Sequence, residues 1–319
     1  MGDVTLGDVR RAHERIRDRI QRTHVRTSDR LSAAAGAELY FKCENLQSTG
    51  SFKARGALNS VLSLSAEEAS RGVATHSSGN HAAALAWAAA MRGIKACAVM
   101  PRTASPIKVA AVRSHGGEII FCEPNHKARE ETAARVIRET GAHMVHPYND
   151  HRIMAGQGTA ALELLEEVPD LDIMVCPVGG GGLLAGSAIV AKTLRPAIKV
   201  FAGEPEGAAD AQQSLRLGAR TPVPSPASIA DGLLAFVGDL TFPEMVRRVD
   251  AIATVSDGEI ERAMRALFET LGLTVEPSGA VSYAAVVGGK LDVRGRKVGI
   301  ILSGGNIDLE SNPWAGPSA

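Results

Sequence analysis

An α/β fold built on parallel sheets is predicted by three observations. Short strand-like runs alternate with helical patterns along most of the 319 residues. Several of those runs are continuously apolar, as strands buried on both faces are. Polar or glycine-rich turns stand where strands would hand over to helices. A chain of this length exceeds the usual single core, which points to two domains or one large α/β unit.

Taken in order, Leu39-Tyr40-Phe41 reads as a strand before a helical stretch opening at Ser51. Val73-Ala74-Thr75 precedes a helix over Asn80 to Arg92, and Cys97 to Met100 precedes one over Ser105 to Ser114. Ile119-Ile120-Phe121, Ile173 to Cys176, Val200-Phe201-Ala202 and Val298 to Leu302 continue the strand series. After Asp257, the residues Ile260, Met264, Leu267, Phe268 and Leu271 repeat at helical spacing and define a core-facing stripe. Gly218 to Asp231 holds three prolines and neither period, so it reads as a long loop.

Composition narrows the function. Lys plus Arg and Asp plus Glu number 35 each, leaving no basic footprint for a nucleic-acid backbone. Hydrophobic residues make up 45% and charged ones 22%, which argues for a globular chain. The run Ala82 to Met91 has ten residues, far short of the ~18 that span a bilayer, so no membrane partner is expected. An N-terminus with Asp3, Asp8, Arg10 and Arg11 and no apolar segment fits a cytoplasmic protein. Cys43, Cys97, Cys122 and Cys176 form no Cys-x-x-Cys pair and read as reduced core thiols.

The sharpest motif is Pro177-Val178-Gly179-Gly180-Gly181-Gly182-Leu183, between a buried strand and a helical run. Four glycines let successive N–H groups turn into one hollow, and the following helix adds its positive end. That is an anion cradle, most often for phosphate. Taken alone, the run admits two phosphate ligands. Gly180-x-Gly182-x-x-Ala185 satisfies the dinucleotide fingerprint, and Glu204, 24 residues on, stands near where a ribose-binding acid belongs, so a nicotinamide-dependent dehydrogenase has to be weighed. A structural tight turn is the plainer alternative.

Three further motifs lie at strand-to-helix junctions. They are Ser51-Phe52-Lys53 after Gln47-Ser48-Thr49-Gly50, Ser77-Ser78-Gly79-Asn80-His81, and Ser303-Gly304-Gly305-Asn306. Loops at the C-terminal ends of strands gather into active sites in such sheets. With all four motifs in this order, from about residue 10 onward, the sequence resembles the fold type II pyridoxal-phosphate enzymes, specifically the serine/threonine dehydratase and serine racemase family. Within it the 3-hydroxyaspartate dehydratase-like branch is the nearer match.

The resemblance implies two open parallel-sheet domains with the cofactor between them: a large one over 1–71 and 150–319, and a small one over 72–149. It implies that Lys53 carries the cofactor aldehyde beside Phe52, and that Gly179, Gly180, Gly181, Gly182 and Leu183 hold the phosphate. Asn80 would meet the ring hydroxyl and Ser303 the pyridine nitrogen. A neutral serine there does not enforce a charged ring, which favours prompt loss of a β-substituent. The expected reaction is removal of the α-proton by Lys53 and expulsion of a β-hydroxyl, giving a 2-oxo acid and ammonia. A racemase would share every motif.

Ser77, Ser78, Gly79, Asn80 and His81, at a helix start, suit the substrate α-carboxylate, and Ser78 could act as an acid–base group opposite Lys53. Ser77 and Ser78 could equally cap the helix. Arg129 and Tyr148 match residues near the substrate in relatives of this kind, and Ala235 replaces a substrate-contacting serine of the racemases. An arginine can clamp a second carboxylate, which 3-hydroxyaspartate carries; the alternative is that Arg129 pairs with Glu130 or Glu131 on a solvated helix and that Tyr148 is packing. The resemblance further implies a structural divalent cation site, since Glu204, the Ala208 carbonyl and Asp210 fall at the spacing it has in the racemase-like branch, with oxygen ligands suited to Mg2+ or Ca2+; two acids six residues apart are otherwise commonly a solvated surface pair. The resemblance also implies a homodimer acting on a small amino acid.

Overall fold

The computed structural model describes residues 2–77 and 79–307. The chain opens with α1 (Leu6–Ile16), β1 (Val25–Thr27), α2 (Asp29–Ala35), β2 (Glu38–Cys43), α3 (Lys53–Leu62) and α4 (Ala66–Ser70). It continues with β3 (Val73–Thr75), α5 (Asn80–Arg92), β4 (Ala96–Pro101), α6 (Pro106–Ser114), β5 (Glu118–Cys122), α7 (His126–Thr140) and β6 (His143–Met144). Then come α8 (His151–Glu167), β7 (Ile173–Pro177), α9 (Gly182–Leu194), β8 (Lys199–Pro205), α10 (Asp210–Leu217) and α11 (Thr241–Arg248). The last elements are β9 (Ala251–Val255), α12 (Asp257–Leu271), α13 (Pro277–Val287) and β10 (Lys297–Leu302).

The strands form two sheets, one of six in the order β1-β2-β10-β7-β8-β9 and one of four in the order β5-β4-β3-β6. Every pairing is parallel except β1 on β2. All seven apolar runs named from the sequence are strands. Three strands had no such signal: β1 is a half-exposed Val-Arg-Thr, β6 has two residues, and β9 interleaves small residues. The expectation of burial on both faces fails for β5, where Ile119 to Phe121 stay half-buried because the strand is at a sheet edge.

Helix ends follow local chemistry. A capping box between Ser256 and Glu259 starts α12, which ends at Gly272 in the left-handed region (φ 64°). Its stripe is narrower than expected: Ile260, Met264 and Leu267 are buried, but Phe268 is exposed at the edge of the contact. A further correction concerns the start of α3. It begins at Lys53 rather than Ser51, because Ser51 is bridged to Gly304 and the Phe52 amide donates to the Ser303 carbonyl. From there α3 crosses α8 almost backbone to backbone, for a Cβ on Gly156 would lie 2.6 Å from the Cα of Gly56.

The loop expected over Gly218 to Asp231 is present, except that Asp231 already opens a single 3-10 turn (Asp231–Leu233). Cys43, Cys122 and Cys176 are buried, Cys97 is half-buried, and all four are free thiols. Among the described residues no helix is long and apolar enough to cross a membrane.

Beneath the site is a buried ion network that the sequence did not advertise. Arg55, two residues past Lys53, donates to both oxygens of Glu44 (2.7 and 2.8 Å) and both of Glu163 (2.7 and 2.8 Å). Lys42 Nζ donates to Glu163 at 2.6 Å. Two cations and two anions balance, so the network ties α3 to β2 and α8 without leaving a net charge in the core.

Candidate active site

Three neighbouring parallel strands, β2, β10 and β7, end on one side of the large sheet and lead into Gln47 to Lys53, Ser303 and Gly179. Opposite them, β3 leads into the Ser77 loop and β6 into His146-Pro147-Tyr148. The four sequence motifs are therefore loops at strand C-terminal ends, where ligands bind in open α/β sheets.

Lys53 is half-buried, its Nζ donating to the Pro147 carbonyl at 3.0 Å and lying 5.0 Å from the Phe52 ring centre. Burial lowers its pKa to about 8, against the opposing pull of Glu276. The neighbouring His146 adds no charge. His146 is pushed down to about 4, first by burial and then by His76 and Lys53, and its Nδ1 accepts from the Asn149 amide at 3.0 Å.

The glycine loop is a cradle with no room for side chains. A Cβ on Gly179 would lie 2.8 Å from Leu233 Cα, and one on Gly180 would lie 2.3 Å from Tyr148 Cγ. Gly181 has φ 88°, and α9 starts at Gly182. The amides of Gly182, Leu183 and Leu184 are thus in a first turn, beyond the reach of any intrahelical carbonyl. Thr241 Oγ1 donates to the Gly180 carbonyl at 2.8 Å and fixes the loop from behind. Free amides at a helix N-terminus, around a space only glycine allows, fit a phosphate.

Ser303 is buried, its Oγ 3.4 Å from the Ser278 carbonyl. Asn80 Nδ2 donates to Glu276 Oε1 at 2.7 Å, and its Oδ1 accepts from Asn306 at 2.9 Å. Glu276 is the site residue that sequence reasoning missed. It is 7% exposed and its pKa is raised to about 8, first by burial and then by Asp231. Only an acid directly before Pro277 at a helix start hinted at it.

On the opposite side, Ser77 Oγ accepts from the Gly79 amide at 3.4 Å, and Gly79 stands at the N-cap of α5 with open space around its Cα. Ser78 lies outside the described residues. The His81 ring takes no part in this loop: it is 1% exposed, its Nε2 lies 3.2 Å from the Val145 carbonyl, and burial holds it well below the ordinary histidine range. A ligand at this loop would meet the main chain of His81 and not its imidazole.

Arg129 lines a cleft of about 160 Å³ with Pro101, Thr103 and Asn125, and its Nε is buried without a hydrogen-bond partner. Glu131, offered as its neighbour on the helix, lies 3.9 Å from Lys127 instead. Tyr148 covers Gly180 and stands edge-on to His146, ring centres 4.6 Å apart. Burial raises its pKa, while Arg129 acts in the other direction.

Glu204 is 0% exposed and accepts from the Ala211 and Gln212 amides at 2.7 and 2.9 Å. So enclosed, it is not offered to a ribose, which removes the acid that the dinucleotide reading needed. Asp210 accepts from the Val237 amide at 2.9 Å, and Ala208 is buried between them in the chain. Burial raises Glu204 to about 8 and Asp210 to about 6. Among the described residues no three His, Cys, Asp or Glu side chains group as a metal site, so a cation here would rest on two carboxylates and a carbonyl. Two buried acids, with Asp210 adding to the rise of Glu204, form a donor set that fits a hard divalent cation.

Comparison with known proteins agrees with this geometry. The chain is 48% identical over 310 residues to a β-hydroxyaspartate dehydratase of Paracoccus denitrificans, covering 97% of this chain and 98% of that one. It is also 48% identical over 308 residues to a serine racemase of Arabidopsis thaliana, covering 95% and 93%. The structure of maize serine racemase superposes with a TM-score of 0.95 at 45% identity, covering 97% of this chain and 95% of that one. The family described as "Pyridoxal-phosphate dependent enzyme" matches residues 16–304. With its lysine, its glycine cradle and its parallel sheets, the chain belongs to the pyridoxal-phosphate dependent enzymes of fold type II.

Proposed function

We propose that the protein is a dehydratase, an ammonia-lyase that eliminates water from a β-hydroxy-α-amino acid to give a 2-oxo acid and ammonia. Serine, threonine and 3-hydroxyaspartate are its substrate class. The observation that carries this reading is the half-buried Lys53 amine, lowered to about 8 and bonded to the Pro147 carbonyl, next in the chain to the Tyr148 that packs on Gly180. Pyridoxal phosphate, bound there, supplies an aldehyde for the amine and a ring that withdraws electrons from the substrate α-carbon.

The residues of the chain do the rest. Gly179 to Gly182 and Leu183 bind the phosphate, and the Ser303 hydroxyl faces the ring nitrogen without forcing a charge on it. Near neutral pH the Lys53 amine is neutral often enough to accept the α-proton at Nζ. Main-chain amides of the Ser77 to His81 loop hold the α-carboxylate, with Ser78 as an acid–base group on the opposite side. Arg129 offers its unpaired Nε to a second carboxylate, and Tyr148 lies within its electrostatic reach. Glu204, the Ala208 carbonyl and Asp210 bind Mg2+ or Ca2+ in a structural role.

A second reading, an amino-acid racemase, is supported by the serine racemases among the relatives. Ala235, where those enzymes carry a serine, and the unpartnered Arg129 favour the dehydratase. The 72–149 segment as a small domain, a homodimer and a cytoplasmic setting complete the proposal. Purified enzyme with serine, threonine and 3-hydroxyaspartate, assayed for 2-oxo acid and by chiral chromatography, tests it. Enantiomer interconversion outpacing 2-oxo acid formation on every substrate would overturn the dehydratase assignment.

A further inference from the structure

Two side-chain amides in the site fix one another's orientation. Asn306, past the end of β10, donates from Nδ2 to the Thr49 carbonyl at 2.8 Å and to Asn80 Oδ1 at 2.9 Å. A main-chain carbonyl can only accept, so the Thr49 contact decides which end of the Asn306 amide is nitrogen. That nitrogen only donates, and it decides in turn that the atom of Asn80 facing it is oxygen. Asn80 Nδ2 is thereby turned to Glu276 Oε1, 2.7 Å away, whether that carboxyl is charged or neutral. Glu276 takes one of its two hydrogens.

The frame around Asn306 is tight. Thr49 and Gly50 form the turn before Lys53, and a Cβ on Gly50, which has φ 70°, would lie 2.8 Å from Asn306 Cγ. The Gly305 amide donates to the Gly50 carbonyl at 2.9 Å, and Ser51 is bridged to Gly304, so the chain after β10 and the turn carrying the lysine are laced together. We propose that Asn306 is a positioning residue for the cofactor: anchored on the Thr49 carbonyl, it locks the Asn80 amide against a flip, so that Asn80 offers the ring hydroxyl oxygen its second Nδ2 hydrogen. The inference rests on the reading that Asn80 meets that oxygen. Turned over, the amide would set its own carbonyl oxygen there and repel a ring oxygen that carries charge. A donor at this place strengthens the hold on the ring and shifts its electrons, so the lock acts on both affinity and colour.

Asn306→Asp keeps the shape of the side chain and removes both donors. In the full-length chain, freed of cofactor and titrated with pyridoxal phosphate, it should weaken binding about fivefold, the worth of one net hydrogen bond. It should also move the visible absorption band of the bound cofactor. Asn306→Ala serves the same end should Asn306→Asp fail to fold. Made in an Asn80→Ala background, the same substitution should change neither affinity nor band, because no amide is left to orient. A residue that merely holds the Thr49 turn would cost as much in either background, so additive losses would overturn the proposal, as would a band that stays in place in Asn306→Asp. Should Asn80→Ala alone leave affinity and band unchanged, the assignment of Asn80 fails and the proposal with it, while borohydride labelling of Lys53 still reports separately on the attachment of the cofactor.

Discussion

Asn80 and Glu276, 196 residues apart in the chain, are joined by a 2.7 Å hydrogen bond from the first turn of α5 to the residue that opens α13. It links the segment after β3 of the four-stranded sheet to the one before β10 of the six-stranded sheet. Asp231 bears electrostatically on the same carboxyl, and Asp231 is itself ion-paired with Lys108 of α6. The two halves of the site are thus held by polar contacts at floor and rim.

Glu276 gives the first prediction. Its pKa is raised from 4.5 to about 8, so its burial costs nothing below the ordinary value and costs progressively more as pH rises towards 8. Glu276→Gln removes that cost. The variant should match the wild-type melting temperature near pH 5 and exceed it at pH 9. Parallel curves across the range would show that the carboxyl is ionised throughout.

Lys53→Ala should lose at least the ~10²–10⁴-fold typical of removing an acid–base group, and more because the covalent attachment goes too. Borohydride treatment followed by mass spectrometry should add the cofactor's mass to wild-type protein and not to the variant. Near-normal turnover of the variant would end the assignment.

The cation site makes a prediction with a pH dependence. Both Glu204 (to about 8) and Asp210 (to about 6) are raised, so without a cation their charged forms destabilise the fold increasingly as pH climbs from about 4 to 8. Chelation of metal-loaded protein should therefore lower the melting temperature strongly at pH 8.5 and little at pH 5. Added Mg2+ or Ca2+ should restore it by mass action. Identical melting curves with and without chelator at pH 8.5 would count against the site.

For the second carboxylate, Arg129→Ala should penalise 3-hydroxyaspartate by the ~2–5 kcal/mol typical of breaking a desolvated charge pair, with a smaller effect on serine and threonine. The readout is kcat/KM for each substrate. Uniform losses would reduce Arg129 to a packing role, and a wild-type enzyme indifferent to 3-hydroxyaspartate would leave the serine/threonine reading alone.

Ser78→Ala should suppress any racemisation more than elimination. Chiral chromatography and 2-oxo acid release, measured on the same sample, check it; equal losses would mean that Ser78 only positions the substrate.

What could be read from the sequence was local. The apolar run Ile173 to Cys176 and the four glycines behind it announce a buried strand and a cradle without reference to anything distant. The helix over Asn80 to Arg92 was likewise given by its own alanines and its closing arginine. What could not be read depends on folding. Glu276 matters because Asn80 meets it, and Arg55 because Glu163, 108 residues on, closes round it. The inward turn of His81 follows from the Val145 carbonyl beyond β6, and the exposed Phe268 from the reach of α13, neither of which any periodicity shows.

Gly56 and Gly156 bring α3 and α8 into near backbone contact, and Arg55 secures the same crossing from below. Such a joint has no play: any side chain at either glycine would prise apart the two helices and carry the lysine with them. Changes of substrate during divergence are thereby steered elsewhere, into the loops after β3 and β5, which leave the hydrogen bond of the amine to Pro147 untouched. The scaffold thus separates an inherited, immobile chemistry from a rim that is free to drift.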